Sequence, residues 1–308
     1  MFKKTILAAS ILCAMAGSAQ AFTVDVNGGA AGGTIAGVTT LDWLPGNALA
    51  VGGNPSGGLQ TGDVVQLLYQ ANLGTLTDGN NILYTSGVGG LRFTAVAGFF
   101  ETATVTNGGL NATFTATPNT SSFFRIYATP TNGNNLAGTG FTTGTLVLEG
   151  TLQSVQSSNF TVNPAAGTVQ FDQFGTNNYA GPPNTLTVVG SGSTDLTWLI
   201  TNWDSAFFPS FNLGDLITTA INSSLVDPFR QVDPSALFSS NGIANGDVAH
   251  NIGTCNGCPQ SSGSDLNFQF QADANSSITV PEPGTLALLG AALGGLGMFN
   301  RRRRVEAA

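Results

Sequence analysis

Through the middle of the chain, apolar residues alternate with Thr, Asn, Gln and Ser, and glycine or asparagine cuts the runs short. In Leu266-Asn267-Phe268-Gln269-Phe270-Gln271-Ala272 every second residue is apolar, so a strand there puts one face on a core and the other in water. Asn111 to Thr117 repeats this more weakly. The same reading predicts strands at Val64–Ala71, Ile82–Thr85, Leu91–Thr106, Asn111–Ala116, Phe123–Thr129 and Thr145–Val155. Further strands are expected at Phe160–Val162, Thr168–Phe171, Leu186–Val189, Leu196–Ile200 and Leu266–Ala272. Turn chemistry marks the breaks at Asp78-Gly79, Asn107-Gly108-Gly109, Asn132-Gly133 and Gly190-Ser191-Gly192. Many short strands with such punctuation predict an all-β fold, a β-sandwich or jelly roll. No fixed repeat period points to a solenoid. One stretch differs: Leu216, Ile217, Ala220, Ile221 and Leu225 recur near helical spacing after Asp215, with Pro228 beyond them. A short helix over Asp215–Leu225 is therefore expected.

Both ends break this pattern. Met1 to Ala21 carries Lys3 and Lys4, an apolar region from Ile6 to Gly17, and the small residues Ala19 and Ala21 around Gln20. These are the three parts of a secretory signal, which predicts a mature chain starting at Phe22. Leu12 is too bulky to make Cys13 a lipobox cysteine, so Cys13 is expected to leave with the signal. Residues 22–279 then form the secreted β-rich domain.

At the other end, Pro281, Glu282 and Pro283 precede an apolar run from Thr285 to Phe299 that includes Leu286, Leu288, Leu289, Leu293 and Leu296. Arg301, Arg302, Arg303 and Arg304 follow. The prolines keep the backbone extended and exposed, and the arginines hold the end of the run on the cytoplasmic side. At about 1.5 Å per residue the run spans about 22 Å as a helix, short of the ~30 Å hydrocarbon core, so it suits a transient transmembrane anchor.

Pro-Glu-Pro, apolar helix and arginine cluster, over Val280–Arg304, resemble the PEP-CTERM sorting signal of Gram-negative surface proteins. The resemblance implies cleavage near Pro281-Glu282-Pro283 by an exosortase, a membrane-embedded cysteine protease. It also implies transient anchoring in the inner membrane and a final place at the cell surface or in the extracellular matrix. The start Phe22-Thr23-Val24 and the Leu266–Ser277 strand are further similar to PEP-CTERM proteins associated with flocculation. That implies a role in floc or biofilm formation within exopolysaccharide.

Charge narrows the partners. Between the two targeting segments 15 acidic residues face only Arg92, Arg125 and Arg230, a net charge near −12 with no lysine. No basic track for a phosphate backbone is available, which excludes nucleic acid. Charged residues are 8% of the chain, so solubility rests on Asn, Thr, Ser, Gln and Gly, a composition suited to life among polysaccharides.

Candidate chemistry is sparse. Cys255 and Cys258 could in principle form a redox dithiol or half a zinc site, but His250 is the only histidine nearby and the setting is a Gly/Asn/Pro loop. In an exported protein a local structural disulfide is the expectation. His250 is also the only base available to a Ser–His–Asp or Cys–His device, and no nucleophile elbow or phosphate loop is present. No cofactor or metal is expected, and no catalytic residue is assigned. Trp43 and Trp203, each beside an aspartate, are the candidates for stacking on sugar, while Trp198 reads as buried within its strand. The sequence thus supports a non-enzymatic exported matrix protein. The alternative is a secreted carbohydrate-active enzyme using a carboxylate pair.

Overall fold

The computed structural model describes residues 21–52, 58–117, 121–222, 228–242, 247–249, 252–258 and 267–279. In chain order the strands are β1 (Phe22–Asp25), β2 (Thr34–Val38), β3 (Thr40–Val51), β4 (Val64–Thr77), β5 (Ile82–Thr85) and β6 (Arg92–Thr106). Next come β7 (Asn111–Ala116), β8 (Phe123–Thr129), β9 (Thr145–Val162), β10 (Thr168–Gln170), β11 (Leu186–Val188) and β12 (Gly190–Trp203). β13 (Leu216–Asn222), β14 (Leu237–Ser239), β15 (Asp247–Ala249), β16 (Cys255–Asn256) and β17 (Phe268–Thr279) complete the order.

The large sheet returns to its own first strand. β3 pairs with β4, β4 with β6, β6 with β8, β8 with β9, β9 with β12 and β12 with β13. β13 neighbours β17, and β17 runs antiparallel to β3, which closes the ring. The strands meet their neighbours in chain order, so this is an up-and-down barrel of eight staves. Two staves are broken. β6 pairs with β8 along Arg92–Gly98 and with β7 along Glu101–Thr106, so β7 and β8 together fill one position. β5 and β6 divide the edge of β4 in the same way.

Alternation along each stave sends one set of side chains inward. Trp198 of β12 stacks on Phe124 of β8, with centroids 5.5 Å apart, and meets Phe99 of β6 edge-on at 5.9 Å. Trp43 of β3 donates its indole N–H to Ser276 Oγ on β17 (3.0 Å), and Ser276 also hydrogen-bonds Thr219 of β13. Phe93 packs edge-on against Phe207, and Phe22 of β1 against Phe211, so the β1–β2 hairpin and the Asp204–Asp215 segment cover that end.

A second core lies outside the wall. Leu49, Leu68, Val96, Phe123 and Tyr127 point outward from β3, β4, β6 and β8, and Phe141, Phe171, Phe229, Val232, Phe238 and Ile252 cover them. Buried amide side chains pin this cover. Asn47 accepts from Ser235 N (2.8 Å) and donates to Asp233 O (3.1 Å), while Gln70 donates to Ser235 Oγ and Leu237 O. Asn72 exchanges two bonds with the Gly133 backbone, and Asn256 exchanges two with the Gln269 backbone. A backbone leaving regular structure must still satisfy its polar groups when buried, and these amides do that.

The all-β expectation holds among the described residues, but the sandwich or jelly roll is replaced by a closed barrel. Alternation is common to both, and only the β17–β3 pairing decides between them. The expected helix over Asp215–Leu225 is strand β13 as far as Asn222, the last described residue there. Its apolar Ile217 and Ile221 and hydroxyl-bearing Thr219 all point inward, and β-branched side chains fit a pleated wall better than a helix. Gly190-Ser191-Gly192 is no turn but the opening of β12: a Cβ on Gly190 would strike the Phe160 ring, so glycine there seats an aromatic side chain. β3 has no counterpart among the predicted strands, because Pro45 and Gly46 interrupt its pattern where the register shifts.

Candidate functional site

A partly open cavity of about 970 Å³ lies towards the barrel end that carries Ala50, Val65, Glu101, Ser158, Thr194 and Phe268, and loop residues such as Gly108, Pro164 and Cys258 border it. Its lining is chiefly apolar. Phe160 lies 5.0 Å from Phe268 and 6.4 Å from Phe270, ring to ring, and Val65, Leu67 and Phe114 extend the surface. An eight-stranded barrel is just wide enough to fill with side chains or to hold one small ligand. Here Trp43, Trp198, Phe99 and Phe124 do the first along one part of the axis, and the cavity leaves room for the second along another.

Glu101 is the acidic member of the described lining, which includes no lysine or arginine. It sits on β6 in phase with inward Phe99 and Ala103 and is 2% exposed. Its Oε1 has no hydrogen-bond partner. Burial pushes its carboxyl up to about 7, against the opposing pull of a hydrogen bond from Ser158. Ser158 in turn hydrogen-bonds Thr194 at 3.1 Å. The cavity wall therefore carries a short polar chain, Thr194–Ser158–Glu101, whose Oε1 is buried without a partner.

The outer face of β9, β12 and β13 is a second candidate surface. Thr151, Gln153, Ser157, Asn159, Thr161 and Ser191 are exposed on it. Cross-strand hydrogen bonds lace the face together: Ser157 to Asp195 (2.7 Å), Asn159 to Ser193 (3.2 Å) and Gln156 to Thr197 (3.2 Å). It carries hydroxyls and amides where a barrel facing lipid carries an apolar band. Among the described residues no helix is long and apolar enough to cross a membrane.

The residues singled out from sequence scatter. Trp43 is 1% exposed inside the barrel, so it has no face to offer an external sugar; the alternation of β3 turns it inward to Ser276. Trp203 lies half-buried at the end of β12. Trp198 is wholly buried, as its strand pattern predicts. Cys255 and Cys258 are joined as a disulfide beside Asn256, the residue that ties this loop to β17. Among the described residues no three His, Cys, Asp or Glu side chains gather to hold a metal. His250, Ala19, the sorting motif, the anchor run and the arginine cluster lie outside the described residues. Sequence reading passed over Glu101, although its inward phase in Phe99-Phe100-Glu101-Thr102-Ala103 was visible.

No curated protein and no solved structure matches this chain. Residues 279–304 match the PEP-CTERM protein-sorting motif, with Pro281, Glu282, Pro283 and Arg301–Arg304 inside the match. The chain therefore carries the sorting domain of an exosortase substrate, a protein that is exported and directed to the cell surface.

Proposed function

We propose that the processed protein is retained among exopolysaccharide at the cell surface and promotes cell aggregation without catalysis. The sorting motif supports delivery to that place. The observation that carries the rest is the uncovered wall of β9, β12 and β13, a pleated face of hydroxyls and amides. Neutral sugars bring many hydroxyls and little charge, so such a face engages them through many weak hydrogen bonds, and many copies acting together give firm retention. The negative net charge of the secreted domain favours neutral over acidic polymers. The non-catalytic reading draws on the cavity: a glycosidase needs two carboxylates, and Glu101 stands without an acidic neighbour in the described lining.

Carboxylates placed on the wall test this reading, with Asn159→Asp, Thr161→Glu and Ser191→Asp combined in one chain. The protein should still be exported and should keep a strand-rich far-UV spectrum, but should pass from the floc into the medium. Retention equal to the parent would defeat the wall as the contact. Deleting the gene should disperse flocs while polysaccharide secretion continues, and unchanged flocculation would defeat the aggregation role. Incubation of the purified protein with the cells' own exopolysaccharide should leave polymer length unchanged on size exclusion. Shortened chains would favour the carbohydrate-active alternative.

A further inference from the structure

The cavity is unexplained by a sugar-facing outer wall. Small eight-stranded barrels can close their interior with side chains, as this one does around Trp198, so an open room beside that plug is a built feature. Its volume of about 970 Å³ sits at the upper end of ordinary small-molecule sites, which run to about 1,000 Å³. Phenyl rings and aliphatic side chains make up most of its walls, which suit an apolar body better than a free sugar. A carboxylate or phosphate would meet Glu101 with no lysine or arginine among the described lining residues to offset it. Glu101 Oε1 is buried and unpartnered, a state that costs stability unless something donates to it.

We propose that the barrel interior is a binding site for an apolar small molecule bearing one hydrogen-bond-donating head, a hydroxyl or an amine, which Glu101 Oε1 accepts. Ser158, held by Thr194, hydrogen-bonds the carboxyl of Glu101, which lines the cavity. Phe160, Phe268 and Phe270 pack against the apolar body of the ligand. Gly190 and Gly192 allow the Phe160 ring its place. The inference concerns the inside of the barrel and the exopolysaccharide reading an outer face; Asn159 borders both, while Glu101 and Ala50 belong to the cavity and Thr161 and Ser191 to the face.

Three twelve-carbon probes that differ only in the head separate the possibilities. Dodecanol, dodecylamine and dodecanoate, each below its aggregation limit, are titrated by calorimetry into the protein recovered from the cell surface. At about pH 8.5, where Glu101 is ionised, dodecanol and dodecylamine should bind one to one, with dodecanoate weaker by at least about 10-fold, as expected when a negative head meets Glu101. Glu101→Leu should weaken dodecanol by about 10-fold, the scale of one buried hydrogen bond. Ala50→Trp, which fills the cavity from β3 and leaves the Glu101 side chain in place, should abolish binding of all three while the far-UV spectrum is retained. It also keeps the test decisive if Glu101→Leu does not fold. Absence of binding by every probe would overturn the proposal. So would dodecanoate binding as well as dodecanol, or dodecanol binding unchanged in Ala50→Trp.

Discussion

On β3, β4 and β17 the outward side chains Asn47, Gln70 and Gln269 are buried beneath loops, and each binds loop atoms. On β9 and β12 the outward Thr151, Asn159, Thr161 and Ser191 stand in solvent and bind, where they bind at all, across the ladder. The two regions share a barrel, an antiparallel ladder and an amide- and hydroxyl-rich outer composition. The difference lies in what lies above them. Where a long excursion folds back, the same kind of polar residue becomes a structural pin; where none does, it becomes surface. Arg125 marks the border, reaching Glu149 of β9 at 2.6 Å on one side and the Asn241 carbonyl of the cover on the other. An amide-rich β face is thus not by itself a sign of ligand binding, and only the uncovered part is free to meet a polymer.

The largest effect should come from the interior that both regions share. Trp198→Ala, on an exposed-side stave but facing inward, should cost about 3–5 kcal/mol by urea denaturation, because its contacts with Phe99 and Phe124 leave a void that cannot close. A loss under about 1 kcal/mol would mean that the uncovered side does not share the barrel core.

Glu101 comes next, and its effect depends on pH. Its folded carboxyl is raised from the ordinary 4.5 to about 7. The neutral form is therefore favoured by folding, and that contribution is fully present below about pH 4.5 and lost as pH rises to about 7. The span corresponds to about 3 kcal/mol. Glu101→Gln should remove this decline, so its stability relative to the parent should rise across that window and level off above it. Parallel curves for the two proteins between pH 4 and 8 would show that Glu101 titrates normally.

The sharpest test of the comparison itself pairs two asparagines. Asn47→Ala strips partners from the Ser235 amide and the Asp233 carbonyl beneath the cover and should cost about 2–3 kcal/mol. Asn159→Ala, on the exposed face, should stay within about 0.5 kcal/mol. Equal losses in urea denaturation would erase the distinction between pin and surface.

Much of this was open to direct reading. The strands Ile82–Thr85, Asn111–Ala116 and Phe123–Thr129 stand where alternation puts them, and Asn107-Gly108-Gly109 turns the chain between β6 and β7 with all three residues at positive φ. Asp78 caps the β4–β5 turn, accepting from the Asn80 and Asn81 amides. The sorting motif was equally plain, since its three parts follow one another in the chain and need no folding to be seen. All of these signals are local, carried by neighbouring residues through turn geometry, side-chain phase or order.

Other features needed the tertiary structure. Closure depends on β17 finding β3, partners more than two hundred residues apart, and no periodicity encodes that pairing. Asp215–Leu225 carries apolar positions that satisfy a helix and a strand alike, and the inward packing of Ile217 and Ile221 against the barrel core chose the strand. Trp43 and Trp203 each sit beside an aspartate, yet β3 turns one inward while the other stays half-exposed at the end of β12. Glu101 could be placed on an inward phase from sequence, but the room around it could not. A cavity is the space left when eight staves, set by hydrogen bonds between distant segments, enclose more volume than their side chains fill. Local sequence determined the strands, the turns and the destination; long-range pairing decided the barrel, its cover and its interior cavity.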